Sequence, residues 1–279
     1  MANYTTADIK ALREKTGAGM LDVKKALDEA NGDAEKAIEI IRVKGLKGIA
    51  KREGRAASAG LIAAKVVEDG GSQVGVLVEV NAETDFVAKN EKFIDFAAKV
   101  LDAAVDSGAE TVEELAGVAT GGSTVKELTD SMQAVIGEKI VVRRVGRLEA
   151  DKIELYLHRT NPDLPAQVGV LVGTDAKAAE VAHDVAMHIA AYSPAYATRE
   201  DVPAEVVDKE RAIAEETTRA EGKPEKAIPK IVEGRLNGFF KENVLVDQAF
   251  AKDPKTTVGK VVAATGGKIN GFARFRVGA

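Results

Sequence analysis

Apolar residues recur through the first fifty positions at the spacing of short amphipathic helices. Thr5 stands ahead of Ile9 and Leu12, with Asp8 three residues on, a capping arrangement in which a hydroxyl accepts the free amide hydrogens of a first turn. That helix is expected to stop at Gly17. Met20, Val23 and Leu27 fall on one helical face that ends at Asn31-Gly32, and Ile38 and Ile41 mark a third stretch opened by Asp33. Residues 5 to 50 therefore read as three helices, followed by Lys51-Arg52-Glu53-Gly54-Arg55-Ala56-Ala57-Ser58 as a linker.

Beyond the linker the pattern changes to β-rich runs. Residues 61–67 and 74–80 are joined by Glu68-Asp69-Gly70-Gly71-Ser72, turn chemistry that predicts an antiparallel hairpin. Phe93, Phe96, Ala97, Val100, Leu101 and Ala104 then line one face of a helix suited to cover that hairpin. The same succession returns in residues 153–157, in 168–172 and in a helix through Val181, Val185 and Ile189. Val-Gly-Val-Leu-Val occurs at 74 and again at 168. Five residues alone would be a weak repeat, but the same ordered elements surround both copies, which predicts an internal duplication.

Residues 204–226 are more than half charged, and Gly222-Lys223-Pro224 interrupts them, so they are expected to form a protruding helical hairpin. Charge-laced helices serve equally as solvated arms and as oligomer contacts, which leaves a homodimer through this arm open. Core character returns at Ile231, Phe239, Phe240, Val244 and Leu245, and residues 257–265 and 268–277 read as a closing helix and strand. The expected fold class is α+β. Its expected parts are an N-terminal three-helix domain (1–55), a first core subdomain (56–150), a second (151–200 with 227–262), an inserted arm (201–226) and a C-terminal helix-strand module (263–279).

Composition narrows the function. The 279 residues are 45% hydrophobic and 30% charged, enough apolar content for several cores. Cysteine is absent, so there are no disulfides or thiolate metal sites. No apolar run has membrane-spanning length, and the first residues lack a basic start followed by an apolar stretch, so the cytoplasm is the expected compartment. A net charge of −5 disfavours general nucleic-acid affinity and suits a protein partner. His183 and His188 lie about 140° apart around a predicted helix and cannot share a metal from one face. The Gly-Lys pairs at 222, 259 and 267 lack the other residues of a phosphate loop, and Gly17-Ala18-Gly19 lacks the strand and third glycine of a dinucleotide site. A binding protein without covalent chemistry fits these absences.

Four segments then converge on one family. Leu12-Arg13-Glu14-Lys15-Thr16-Gly17-Ala18-Gly19-Met20-Leu21-Asp22-Val23-Lys24-Lys25-Ala26-Leu27 resembles the N-terminal signature of the elongation factor Ts family, and Glu83-Thr84-Asp85-Phe86-Val87-Ala88-Lys89-Asn90 resembles its second. Ile136-Gly137-Glu138-Lys139-Ile140-Val141-Val142-Arg143-Arg144 and Gly234-Arg235-Leu236-Asn237-Gly238-Phe239-Phe240-Lys241-Glu242 are similar to later segments, in the expected order. Val23 stands where the family often has cysteine, and the loop 159–165 looks longer than in some relatives.

The resemblance implies a UBA-like N-terminal domain and a guanine-nucleotide exchange factor for elongation factor Tu, with no cofactor of its own, acting on the GDP and magnesium held by its partner. It implies partner contacts at Arg13, Met20, Leu21, Lys24, Ile136, Gly137 and His158, and a magnesium-dislocating motif at Thr84, Asp85, Phe86 and Val87. Read without the resemblance, Phe86 is more simply a core residue, Asp85 a capping or turn residue, Met20 part of the core stripe, Ile136-Gly137 a plain turn and His158 structural. The rival reading is an RNA-binding protein using Lys44, Lys47, Lys51, Arg52 and Arg55, with Arg143, Arg144 and Arg147. Its weakness is the low aromatic content, 4%, because single-stranded RNA readers stack bases on aromatic rings.

Overall fold

The computed structural model describes residues 3–16 and 18–279. Three helices come first: α1 (Thr6–Thr16), α2 (Met20–Glu29) and α3 (Ala34–Arg52). The expected helix stop at Gly17 lies outside the described residues. Leu12, Val23, Ala26, Leu27, Ala37 and Ile41 form their shared core. Asp33 caps α3 by accepting the amides of Glu35 and Lys36 at 3.0 and 3.1 Å, and these bonds hold its carboxyl below the usual carboxylate range. The helix continues to Arg52, into the segment expected to be linker.

A first α+β unit follows: β1 (Ala59–Asp69), β2 (Ser72–Ala82), the one-turn helix α4 (Asp85–Ala88), α5 (Glu91–Ser107), α6 (Val112–Ala116), a small ribbon β3 (Ala119–Thr120) and β4 (Ser123–Thr124), α7 (Val125–Ile136) and β5 (Ile140–Ala150). The second unit runs β6 (Lys152–His158), β7 (Val168–Thr174), α8 (Ala182–Tyr192), α9 (Ala204–Ala220), α10 (Ile228–Asn243), the ribbon β8 (Ala249–Phe250) and β9 (Asp253–Thr257), α11 (Val258–Ala264) and β10 (Ile269–Arg276). Two antiparallel sheets result, ordered β1-β2-β5 and β6-β7-β10. The repeat therefore extends past strand, strand, helix to a ribbon, a second helix and a third strand in each unit. Residues 263–279, set apart as a C-terminal module by the sequence pattern, supply through β10 the third strand of the second sheet, paired with β7.

The sheets stack face to face, each backed by its own helices. Even-numbered residues of β2 (Val74, Val76, Val78, Val80) pack on Phe93, Phe96, Ala97 and Val100 of α5, and those of β7 (Val168, Val170, Val172) pack on Val185, Ala186 and Ile189 of α8. The opposite faces, with the odd-numbered residues of β2 and β7, meet between the sheets around Leu77, Leu171 and Ile62 of β1. Here the Val-Gly-Val-Leu-Val repeat acquires a physical meaning. A Cβ on Gly75 would stand 2.9 Å from Leu171, and one on Gly169 would stand 3.1 Å from Leu77 and 2.5 Å from Ile62. Each copy's leucine fills the space left by the other copy's glycine, as an approximate two-fold relation between the units requires.

The arm is longer than residues 201–226. Its second helix is all of α10, so the hairpin spans 204–243, with Ala214, Ile228, Val232 and Leu236 forming a small core of its own. Of the residues read as a return to core character, Leu245 does belong to the second core, whereas Phe240 packs on the small core of the arm. The hairpin is closed at its base, where Tyr196 pairs with Val244, Ala195 and Tyr196 donate to the Asn243 carbonyl, and Leu245 donates to the Tyr196 carbonyl. Arg199, its plane over Phe240, bonds Asp247 at 2.7 Å across the same base.

Candidate functional site

Thr84, Asp85, Phe86 and Val87 lie where β2 ends. Thr84 is the N-cap of α4, its hydroxyl oxygen accepting the Val87 amide at 3.4 Å, so Asp85 is the first helical residue and does not cap. Val87 and Ala88 are buried and root the turn in the first core, whereas Asp85 is exposed and Phe86 is 77% exposed. The core position expected of an isolated Phe86 is thus not where the side chain sits. Lys89 places its ammonium 5.1 Å from the ring centroid. A phenylalanine left in water forgoes about 1.5–3 kcal/mol of burial, an apolar contact still open to a second molecule.

The end of α7 adjoins this corner. Ile136 is the last residue of α7 and Gly137 its left-handed C-cap at φ 83°, a geometry that suits glycine. The next residue, Glu138, accepts the backbone N–H and the hydroxyl of Thr84 at 3.1 and 2.9 Å. Glu83 in turn accepts the Lys139 amide at 2.6 Å. Segments more than fifty residues apart in sequence are joined here into one surface. Neither glutamate stands out by spacing or periodicity; each lies inside a segment that carries the family resemblance, without a role of its own there.

The N-terminal helices meet the same surface. Met20 and Leu21 open α2 with 60% and 63% of their area exposed, so Met20 does not join the stripe of Val23 and Leu27; the α2 core face is Val23, Ala26 and Leu27. Arg13 and Lys24 are exposed as well, and among the described residues neither has a salt-bridge partner. Gly19, Asp22 and Lys25 face Ile136 and Gly137 across a cleft. The cleft is held by a close helix crossing: a Cβ on Gly45 of α3 would stand 2.5 Å from the Cβ of Ala134 in α7. Arg52 adds a bond to the Gln133 carbonyl at 3.2 Å, and Lys92 of α5 reaches the Glu14 carbonyl at 2.7 Å. Gly45, a glycine inside an otherwise strong helix, was the overlooked sign of this docking.

His158 is placed elsewhere, at the end of β6 on the second sheet, exposed and 3.1 Å from the Tyr156 hydroxyl. Several cations of the RNA reading are engaged within the chain. Arg144 bonds Glu79, which is fully buried, at 2.7 Å; Arg143 bonds Asn81 at 2.6 Å and the Ala57 carbonyl at 3.1 Å; Arg55 pairs with Glu83 and Lys44 with Glu29. His188 is buried, accepting the Ala251 amide at Nδ1 and meeting Gln248 at 2.9 Å through Nε2, a structural role. Among the described residues no three His, Asp or Glu side chains gather in a way that could hold a metal ion, and no helix is long and apolar enough to cross a membrane.

Comparison with known proteins points one way. The family model described as elongation factor TS matches residues 83–279. Over the whole length of both chains, the protein is 68% identical to elongation factor Ts of Beutenbergia cavernae, 64% to that of Micrococcus luteus and 63% to that of an Arthrobacter species.

Proposed function

Because the chain belongs to the elongation factor Ts family, and with it to the factors of translation elongation, we propose that it is a guanine-nucleotide exchange factor for elongation factor Tu. In this reading Phe86 is the wedge, Asp85 disturbs the magnesium environment, and the face formed by Arg13, Met20, Leu21 and Lys24 with Ile136 and Gly137 docks the GTPase. The observation that carries the reading is a phenylalanine 77% exposed on a helical turn whose other side is rooted in the core.

Burying that ring in the partner recovers about 1.5–3 kcal/mol, enough to favour a form of the GTPase that is otherwise a minor species. Magnesium demands near-ideal octahedral oxygen ligation, so a single carboxylate is a poor replacement site but an adequate disturbance. Coupling is reciprocal: a factor that weakens nucleotide binding is itself weakened by nucleotide in the same ratio, so GTP rebinding releases it. No bond is made or broken, and the chain needs no cofactor of its own for this cycle.

The test is release of fluorescent GDP from elongation factor Tu in excess unlabelled nucleotide at fixed magnesium. Substoichiometric protein is expected to accelerate release catalytically; a folded sample that leaves the rate unchanged refutes exchange activity.

A further inference from the structure

Two glutamates that the exchange reading leaves without a role form a crossed clasp beneath α4. Glu138 accepts the backbone N–H of Thr84 on one carboxylate oxygen and its hydroxyl on the other, at 3.1 and 2.9 Å. Glu83 accepts the backbone N–H of Lys139 at 2.6 Å and Nη1 of Arg55 at 3.2 Å. Each glutamate thus holds the residue beside the other. The clasp also reaches the end of α3, because the Lys139 ammonium bonds the Glu53 carbonyl.

Val87 and Ala88 root the inner side of the turn in the core, while the clasp holds its start. A helix of four residues has no stability of its own, and its two outward side chains, Asp85 and Phe86, are exposed and bury little that would fix its orientation. The Thr84 hydroxyl is drawn in two directions at once: it donates to Glu138 and accepts from the Val87 amide. Charge-assisted bonds of this kind are shorter and stronger than neutral ones, and here they end on the residue that starts the turn.

We infer that Glu83 and Glu138 are positioning residues for exchange: they hold the turn bearing Asp85 and Phe86 in one orientation relative to Ile136-Gly137 and the N-terminal helices. What that orientation serves rests on the exchange reading; the ordering of the turn does not. A wedge ordered in advance spends none of its contact energy on its own ordering when it meets the partner, whereas a loose one does.

The experiment pairs two readouts on Glu138→Ala and the milder Glu138→Gln, which keeps one acceptor oxygen. Amide hydrogen exchange is followed at Val87, Ala88 and Lys89 against α5 as an internal reference, and nucleotide release from elongation factor Tu is measured at saturating factor with and without Phe86→Ala. In Glu138→Ala the α4 amides are expected to exchange roughly tenfold faster with α5 unchanged, and Glu138→Gln to fall in between. Release is expected to slow roughly tenfold, but by less than about twofold when Phe86→Ala is already present, because a positioning residue acts through the side chain it positions. Unchanged α4 protection overturns the inference whatever the rates, as does an equal loss of rate in both backgrounds. If Phe86→Ala itself leaves release unaltered, the wedge reading fails, while the amide data still decide whether the clasp orders the turn.

Discussion

At the scale of single residues the molecule separates side chains that build it from those it presents. Phe86 and Val87 are neighbours in one short turn, yet one is in water and the other in the core. Phe86→Ala is expected to leave the melting temperature within a few degrees of the parent and to slow nucleotide release at saturating factor by about tenfold or more, the loss of about 1.5 kcal/mol or more of contact. An unchanged rate in a stopped-flow assay would remove the wedge. Asp85→Ala is expected to slow release with an altered magnesium dependence, read from a magnesium titration of the same assay. His188 illustrates the opposite use of a polar residue. Burial lowers its pKa below the ordinary value despite the opposing bond to Gln248, so its neutral form is the one folded in. A depressed folded pKa gives stability that is full above about pH 6.5 and lost as pH falls below it. Denaturant unfolding at about pH 7.5 and 5.5 should therefore show a decline that is smaller in His188→Gln. Such placements were only partly legible in sequence. The helical stripe in residues 93–104 marked its buried face correctly, because every member faces one sheet. Met20 misled because it fits the 3.6-residue period but opens its helix with its side chain in water, one turn ahead of the buried stripe that Val23 begins.

At the scale of elements, the fold depends on where backbones approach. The repeated hairpin and covering helix were readable from alternation and turn chemistry, since those signals are local. The repeat of ribbon, second helix and third strand was not, because β3, β4 and β8 are only two residues long and carry no periodicity. Nor could the sequence disclose that Gly75 and Gly169 seat each other's leucines, a relation between residues nearly a hundred positions apart. Gly169→Ala is expected to cost about 1–3 kcal/mol by overpacking the space between the sheets, lowering the melting temperature by about 2–4 °C for each kcal/mol. Gly234→Ala in α10, where an added Cβ meets nothing within 4 Å, is the matched control and is expected to stabilise by about 0.5–1 kcal/mol. Calorimetry of the two variants side by side checks both signs.

At the scale of the whole molecule, the arm and the N-terminal helices are attached in different ways. The arm interrupts the second unit between α8 and the ribbon β8–β9, at the place where the first unit has only a short connection carrying α6, and it leaves and returns through a paired base. The N-terminal helices instead lie against the first unit through Gly45 on Ala134, so the boundary near residue 55, legible as a charged and glycine-containing stretch, marks the end of a helix and not a gap between bodies. Removing residues 1–55 uncovers the side of α7 that carries Ala134. The shortened protein is expected to unfold cooperatively but at a lower temperature, and to bind elongation factor Tu more weakly; an unchanged melting temperature by circular dichroism would show that the helix crossing adds no stability.

The interlock of the two sheets also bears on how the chain is made. Residues 59–150 complete the first sheet before any strand of the second exists, and its inner face, with Leu77 and Ile62, has no cover until β6 and β7 arrive and none along its far side until β10, which follows the arm. At about 5–20 residues per second the wait lasts on the order of ten seconds. During that time Leu77 lacks the space beside Gly169 that seats it in the finished fold, so the two sheets interlock only once the second unit has followed the first out of the ribosome.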